Sequence, residues 1–169
     1  MDRGRERVTI DCRTETPQDE PFIRRLVEQT IAEELGADAW PEPLRTSVVR
    51  LQYDARRSAA RAASGAVTSE IITADGEDAG WLLTADLPAE LRIVEIMILP
   101  QRRGRGLGSA AIDRVLDRAG RDHKPVRLVV SCTNARAIHL YERLGFTITA
   151  SDTVQQEMES TPLTRRDRR

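Results

Sequence analysis

The chain has 169 residues, enough for one domain that builds its own core without disulfides or metal. It is 40% hydrophobic and 31% charged, a globular mixture, and with only two each of Trp, Tyr and Phe its core must be mostly Leu, Ile, Val and Ala. The 26 basic and 27 acidic residues give a net charge of -1, which removes any argument for nucleic-acid binding from bulk charge.

Val8–Arg13 reads as a short strand, with Val8, Ile10 and Cys12 alternating. A helix comes next: Thr16 is a good N-cap, Pro17 fits the first position, and Asp19 and Glu20 suit the first turn. Phe22, Ile23, Leu26, Val27, Ile31 and Leu35 form its apolar stripe and Gly36 ends it. Beyond the Trp40-Pro41-Glu42-Pro43 break, Leu44, Val48, Leu51, Ala55 and Ala59 predict a second amphipathic helix, closed near Gly65.

The period then changes. Thr68–Thr73 and Gly80–Ala85 read as strands around Ala74-Asp75-Gly76, which has hairpin-turn residues. Leu91–Leu99 is a longer, more buried strand, and a glycine-rich turn at Gly104–Gly108 leads into a helix carrying Leu107, Ala111, Val115 and Ala119. Val126–Cys132 is a strand, Asn134–Leu144 a helix closed by Gly145, and Phe146–Ala150 with Val154–Met158 a final strand pair. Strands with helices inserted between them describe an α+β domain with a mixed sheet. No linker divides residues 1–159; residues 160–169 lack periodicity and read as a disordered tail.

Several chemistries fall away. No apolar run approaches the roughly 18 residues of a membrane helix, and the N-terminus, with Arg3, Arg5, Glu6 and Arg7, has no apolar signal segment. A cytoplasmic protein without a membrane partner is expected. Cys12 and Cys132 form no framework, and with His123 and His139 they offer no pair at metal spacing, so no metal is expected.

The stretch Ile96–Ser109, IMILPQRRGRGLGS, runs from a buried strand through a glycine turn straight into a helix. Glycines at 104, 106 and 108 let the backbone approach a ligand, and several N–H groups point into one concavity at the positive end of the following helix. Such a turn suits a phosphate or pyrophosphate, with Arg102, Arg103 and Arg105 adding mobile positive charge. The G-x-G-x-G spacing fits neither the dinucleotide fingerprint nor a nucleotide-triphosphate loop. The alternative for the turn by itself is a tight strand-to-helix connection with a solvated arginine rim.

A second stretch, Asn134–Phe146, reads NARAIHLYERLGF. Together the two resemble the GNAT superfamily of acyl-CoA-dependent N-acyltransferases. The first signature, R/Q-x-x-G-x-G/A, is met at Arg103, Gly106 and Gly108; the second at Asn134, Ala137, Leu140, Tyr141, Glu142, Gly145 and Phe146. The resemblance implies a mostly antiparallel mixed sheet flanked by helices, acetyl-CoA as donor without metal, and a small-molecule or peptide amine as acceptor. It leaves a homodimer open.

It also implies roles. Backbone groups around Met97, Ile98 and Leu99 would pair with the pantetheine arm, and the Ile98 N–H would polarise the thioester carbonyl. The turn Arg103, Gly104, Arg105, Gly106, Leu107, Gly108 and Ser109 would hold the pyrophosphate. Asn134 would contact the pantetheine while capping its helix, and Tyr141 would protonate the departing thiolate. Tyr141 also lies on the apolar stripe of its helix, so plain core packing is its other reading. In members that acetylate ribosomal-protein N-termini a glutamate stands five residues before the matching Asn; here that residue is Val129.

The residues themselves suggest Glu95 as proton acceptor, a carboxylate in the middle of an apolar strand; pairing with a nearby arginine such as Arg92, or with one across the sheet, is the alternative. Glu33, Glu34, Asp38 and Glu42 around the first helix–helix bend could draw a cationic amine, with Trp40 and Tyr53 as an apolar wall. The rival to an N-acetyltransferase is a non-catalytic acyl-CoA-binding or protein-interaction module on the same fold.

Overall fold

The computed structural model describes residues 9–35, 40–62 and 65–160, and of residues 34, 35 and 59–62 only the backbone. Val8, Gly36, Asp38, the side chain of Glu34 and residues 161–169 lie outside the described residues.

The elements run β1 (Ile10–Thr14), α1 (Glu20–Leu35), α2 (Glu42–Ala62), β2 (Ala66–Ala74), β3 (Glu77–Asp86), β4 (Leu91–Ile98), α3 (Leu107–Arg121), β5 (Val126–Ser131), α4 (Ala135–Arg143), β6 (Thr147–Ser151) and β7 (Gln155–Ser160). The start of α1 agrees with the capping residues in the sequence. Pro17–Asp19 form a short 3-10 turn, and Asp19 Oδ2 accepts from the Thr16 N–H at 2.7 Å, closing a capping box. Between β2 and β3, Asp75 (φ 53°) and Gly76 (φ 81°) make a two-residue turn with both central φ angles positive, the turn whose twist matches its strands.

Seven strands form one sheet in the order β1-β2-β3-β4-β5-β7-β6, antiparallel throughout except for β4 against β5. The mixed, mostly antiparallel sheet is thus as expected. One core cluster packs α3 and α4 on one face of the sheet (Ile72, Leu82, Ile93, Ile112, Val115, Leu128, Tyr141, Met158). A second packs α1 and α2 on the other face (Ile23, Leu26, Val27, Val49, Tyr53, Ile71, Trp81, Leu83, Met97). No helix among the described residues is long and apolar enough to cross a membrane.

Two expectations need correction. In α2, Leu44 and Leu51 are 51% and 67% exposed, while Val49 and Tyr53 are buried. The inward stripe is Val49, Gln52, Tyr53 and Arg56, with Val48 of the expected set partly buried against the same core; its polar members break the apolar pattern that would have marked it. At the C-terminal end, Ser160 is no tail residue: it closes β7 opposite Val126 and is 1% exposed.

Two irregularities in β4 shape the surface around its C-terminal half. Leu83 is opposite Glu95 while Thr84 is opposite Ile93, so Val94 is an extra residue in a β-bulge. Ile93 and Ile96, three residues apart, therefore both face α3 and α4, whereas Val94 and Met97 face α1 and α2. In addition, β4 pairs with β5 only at Leu91↔Val126 and Arg92↔Arg127. That joined end is pinned by Glu90, which bridges Arg92 (2.6 Å) and Arg127 (3.1 Å) while Arg127 also reaches Glu159 (2.6 Å). Beyond it the two strands part.

Candidate active site

The gap between the parted strands is an open cleft of about 1270 Å³. One wall is β4 from Ile93 to Ile98, the other Leu128–Ser131 of β5, and α4 and the start of α3 close one side. Thr30 and Glu33 of α1 and Arg56 of α2 line the opposite side.

The backbone of β4 is directed by alternation along the strand. The Leu99 N–H donates to the Ala79 carbonyl at 2.9 Å, so Leu99 turns toward β3 and the N–H and C=O of Ile98 turn toward the cleft. Arg103 Nε donates to the Ile98 carbonyl at 3.0 Å. Met97 and Leu99 direct their side chains into the core beneath α1 and α2. Leu99 does not line the cleft, so Ile98 is the member of that trio best placed to offer main-chain groups to it.

The turn after β4 holds Gly104 (φ 77°) and Gly106 (φ 84°), left-handed conformations in which a side chain would be strained. The first helical bond of α3 runs from Ala110 N–H to the Gly106 carbonyl. The N–H groups of Leu107, Gly108 and Ser109 precede it, so they are the free donors every helix start presents, and all three residues line the cleft. Gly108 sits where α3 meets α4: a Cβ there would stand 3.5 Å from Leu140 Cδ2. A row of convergent N–H groups at a helix N-terminus fits the pyrophosphate of a CoA thioester.

The arginine rim differs from expectation. Arg102 is bound to Glu77 and Arg103 to Glu33, because β3 begins and α1 ends beside the turn. Arg105 is exposed and does not line the cleft. The charges of Arg102 and Arg103 are thus tied down rather than mobile, and Arg103 stitches the turn to both β4 and α1.

Asn134 accepts from the Ala137 N–H at 3.1 Å, capping α4 as its position suggested, and lines the cleft. Tyr141 is 7% exposed, with its ring 5.7 Å from that of Phe146 at 57°. Core packing and exposure to the cleft therefore coexist in this residue. Burial, with a smaller contribution from the negative charge of Glu95, pushes its phenol up to about 12. Glu95 leans toward α2, where its Oε2 accepts from Arg56 Nε at 2.9 Å. Glu95 is thus paired with an arginine, the alternative its strand context offered, but the partner is Arg56 of α2, while Arg92 is engaged by Glu90.

On the acceptor side, Glu33 and Glu42 are engaged by Arg103 and Arg45. Tyr53 lies away from the cleft, buried beneath α2 with the guanidinium groups of Arg24 and Arg57 over its ring, and Trp40 does not line the cleft either. The residue that sequence reasoning misses is Arg56; the signal for it is its spacing from Val49 and Tyr53, seven and three residues back on the same helical face. Cys132 donates weakly to the Asp152 carbonyl at 3.6 Å, and burial pushes the Cys12 thiol up to about 11, away from nucleophilic use.

Comparison with known proteins is decisive about family. The sequence pattern of the acetyltransferase (GNAT) family matches residues 30–146. The chain belongs to the GNAT acetyltransferase family. It is 37% identical over 70 residues to an uncharacterised N-acetyltransferase of Methanocaldococcus jannaschii, covering 41% of this chain and 31% of that protein. It is 50% identical over 58 residues to a GCN5-like protein acetyltransferase of Mycobacterium tuberculosis, covering 32% of this chain and 27% of the other. The matched stretch thus spans less than a third of either curated relative. In fold it resembles the PaiA N-acetyltransferase of Thermoplasma acidophilum, solved in complex with coenzyme A, with a TM-score of 0.72, 14% identity, and 90% and 99% of the two chains covered.

Proposed function

We propose that this GNAT protein transfers an acetyl group from acetyl-CoA to a primary amine by direct attack. The observation that carries the proposal is the convergence in one cleft of the α3 N-terminal donors, the Ile98 main chain, Tyr141 and Glu95. Bound there, acetyl-CoA would supply an activated acyl carbon and a sulfur leaving group.

The chain's own residues have separable tasks. Leu107, Gly108 and Ser109 hold the pyrophosphate by main-chain N–H groups, with no side-chain charge to desolvate. The Ile98 N–H orients and polarises the acyl oxygen. Asn134 contributes to the pantetheine arm from the head of α4. Glu95 takes a proton from the acceptor ammonium so that its nitrogen lone pair is free to form the amide bond. As the carbon–sulfur bond breaks, Tyr141 gives its proton to the sulfur and regains one from the nitrogen, which still carries a surplus proton after attack, so that amide, thiol and neutral phenol remain. A phenol held at about 12 is fully protonated for that step at neutral pH.

The acceptor class has the breadth of the family: small-molecule or protein amines. One observation supports a second reading. Val129 is 52% exposed in the cleft wall, where some relatives would place a carboxylate, which favours an acyl-CoA-binding module without turnover. Thiol release from acetyl-CoA and a longer acyl-CoA decides between them, measured with an aminoglycoside, spermidine, free amino acids, a peptide with a free N-terminus and an N-blocked lysine peptide. Thiol release dependent on one amine class supports the transferase; acetyl-CoA binding without release across the panel supports the module.

A further inference from the structure

We propose that Arg56 is a positioning residue for acyl transfer, acting through Glu95: braced by Gln52, its guanidinium fixes the Glu95 carboxylate in the cleft that Tyr141 also lines. The inference rests on the proposed role of Glu95 as proton acceptor and adds the group that orients its carboxylate.

The local fold explains why a carboxylate at this point needs a brace. The bulge at Val94 turns Glu95 to the α2 side of β4, at the rim between core and cleft, where its side chain is 22% exposed. A carboxylate on a glutamate's three-torsion arm there would sample many orientations. Arg56 restricts it. Val49 and Tyr53, buried two turns and one turn earlier on the same face, hold α2 against the sheet. From that helix Arg56 Nε donates to Glu95 Oε2 at 2.9 Å, and Arg56 Nη1 donates to Gln52 Oε1 at 2.6 Å. Gln52 lies one helical turn back, so the planar guanidinium is gripped at two edges and cannot rotate without breaking one bond.

Both members of the pair line the cleft, and both are about four-fifths shielded from solvent, at 21% and 22% exposure, so their attraction is less screened than that of a surface pair. The charge of Glu95 reaches Tyr141 strongly enough to contribute to the rise in its phenol. The two groups proposed to handle protons therefore face one space, and Arg56 sets the position of one relative to the other. Arg56 exchanges no proton itself: the ammonium proton passes to Glu95 and from there to solvent.

The test is a double-mutant cycle on the full chain, read with acetyl-CoA and the most active amine of the panel, alongside acetyl-CoA affinity by calorimetry and thermal unfolding. Arg56→Ala is expected to lower kcat by about 10- to 100-fold, the scale of a displaced reacting group, with acetyl-CoA affinity unchanged. Arg56→Lys, which keeps the charge but not the fork, is expected to recover part of the loss. In a Glu95→Gln background, Arg56→Ala is expected to change kcat no further. If Arg56→Ala folds poorly, Arg56→Lys and Arg56→Met carry the same comparison. Wild-type kcat in the Arg56 variants beside a slow Glu95→Gln overturns the positioning role alone, as does an Arg56 effect of full size in the Glu95→Gln background. Wild-type kcat in Glu95→Gln, or no turnover with any amine, removes Glu95 from the reaction and Arg56 with it.

Discussion

Arg103 Nε donates to the carbonyl of Ile98 at 3.0 Å, so the turn that leaves β4 is fastened back to the last residue of that strand. The same guanidinium holds Glu33 near the end of α1. One side chain thus links the phosphate-type turn, the strand edge and a helix of the opposite layer. Arg103→Gln keeps a donor for Ile98 and discards the ion pair; it is expected to retain the fold and weaken acetyl-CoA binding less than Arg103→Ala, measured by calorimetry.

Tyr141→Phe is expected to lower turnover by roughly 100-fold, the lower end of the range for a general acid, with acetyl-CoA affinity retained. A pH signature accompanies it. The folded phenol sits at about 12 against an ordinary 10.0, so above pH 10 the unfolded chain ionises first and folding stability falls as pH rises toward 12. Thermal unfolding between pH 9 and pH 11 is expected to show a smaller loss in Tyr141→Phe than in the wild type. Equal losses would remove this phenol as the source.

Gly106 and Gly108 separate backbone strain from ligand approach. Gly106 has a φ of 84° and open space around it, so Gly106→Ala meets no clash but costs about 1 kcal/mol for the left-handed conformation. Both stability and acetyl-CoA affinity are expected to drop. Gly108 lies in the first turn of α3 with ordinary contact to Leu140, so Gly108→Ala is expected to keep or slightly raise the melting temperature while still weakening acetyl-CoA binding. Loss of stability without loss of affinity in Gly108→Ala would contradict a close approach there.

Gly80 supports the cleft from behind. A Cβ at this β3 position would stand 2.4 Å from the Met97 carbonyl oxygen and 2.8 Å from Ile98 Cδ1. Gly80→Ala must therefore push β4 at the residue whose main chain faces the cleft. A raised KM for acetyl-CoA, with thermal unfolding showing a destabilised but folded protein, is the expected result; unchanged binding would mean that β4 tolerates the shift.

Asp19 sets an acid limit. Arg13, hydrogen-bonded through both Nη atoms at 2.8 and 2.7 Å, holds its carboxyl far below the usual range, with help from Thr16. A depressed folded value means this stabilisation is present above the unfolded pKa of 3.8 and is lost as pH falls below it. Asp19→Asn is expected to destabilise the protein at pH 7 and to flatten the acid dependence of unfolding below pH 4.

Much of this was legible in the sequence because local chemistry dictated it. Thr16, Pro17 and Asp19 set a helix start, Asp75-Gly76 a hairpin, and Asn134 with Gly145 the two ends of α4, each through contacts within a few residues. The glycine turn and Tyr141 were visible for the same reason, as compact motifs. The parts that were not legible depend on residues far apart in the chain. The buried face of α2 is half polar because Arg56 must meet Glu95 across 39 residues. Two arginines of the turn, Arg102 and Arg103, are fixed by Glu77 and Glu33, which only the packing of β3 and α1 brings near. Ser160 reads as tail by composition and is buried because β5 pairs with it.

The extra residue in β4 works like a change of reading frame. In a strand of strict alternation, Ile93 on the α3–α4 face would oblige Glu95 to share that face and would send Ile96 and Ile98 to the other. Val94 resets the count, so apolar residues before and after it serve one layer while the carboxylate between them is handed to the opposite one. A single strand thereby addresses two compartments of the molecule, and the polar residue crosses between them without either core giving up an apolar position.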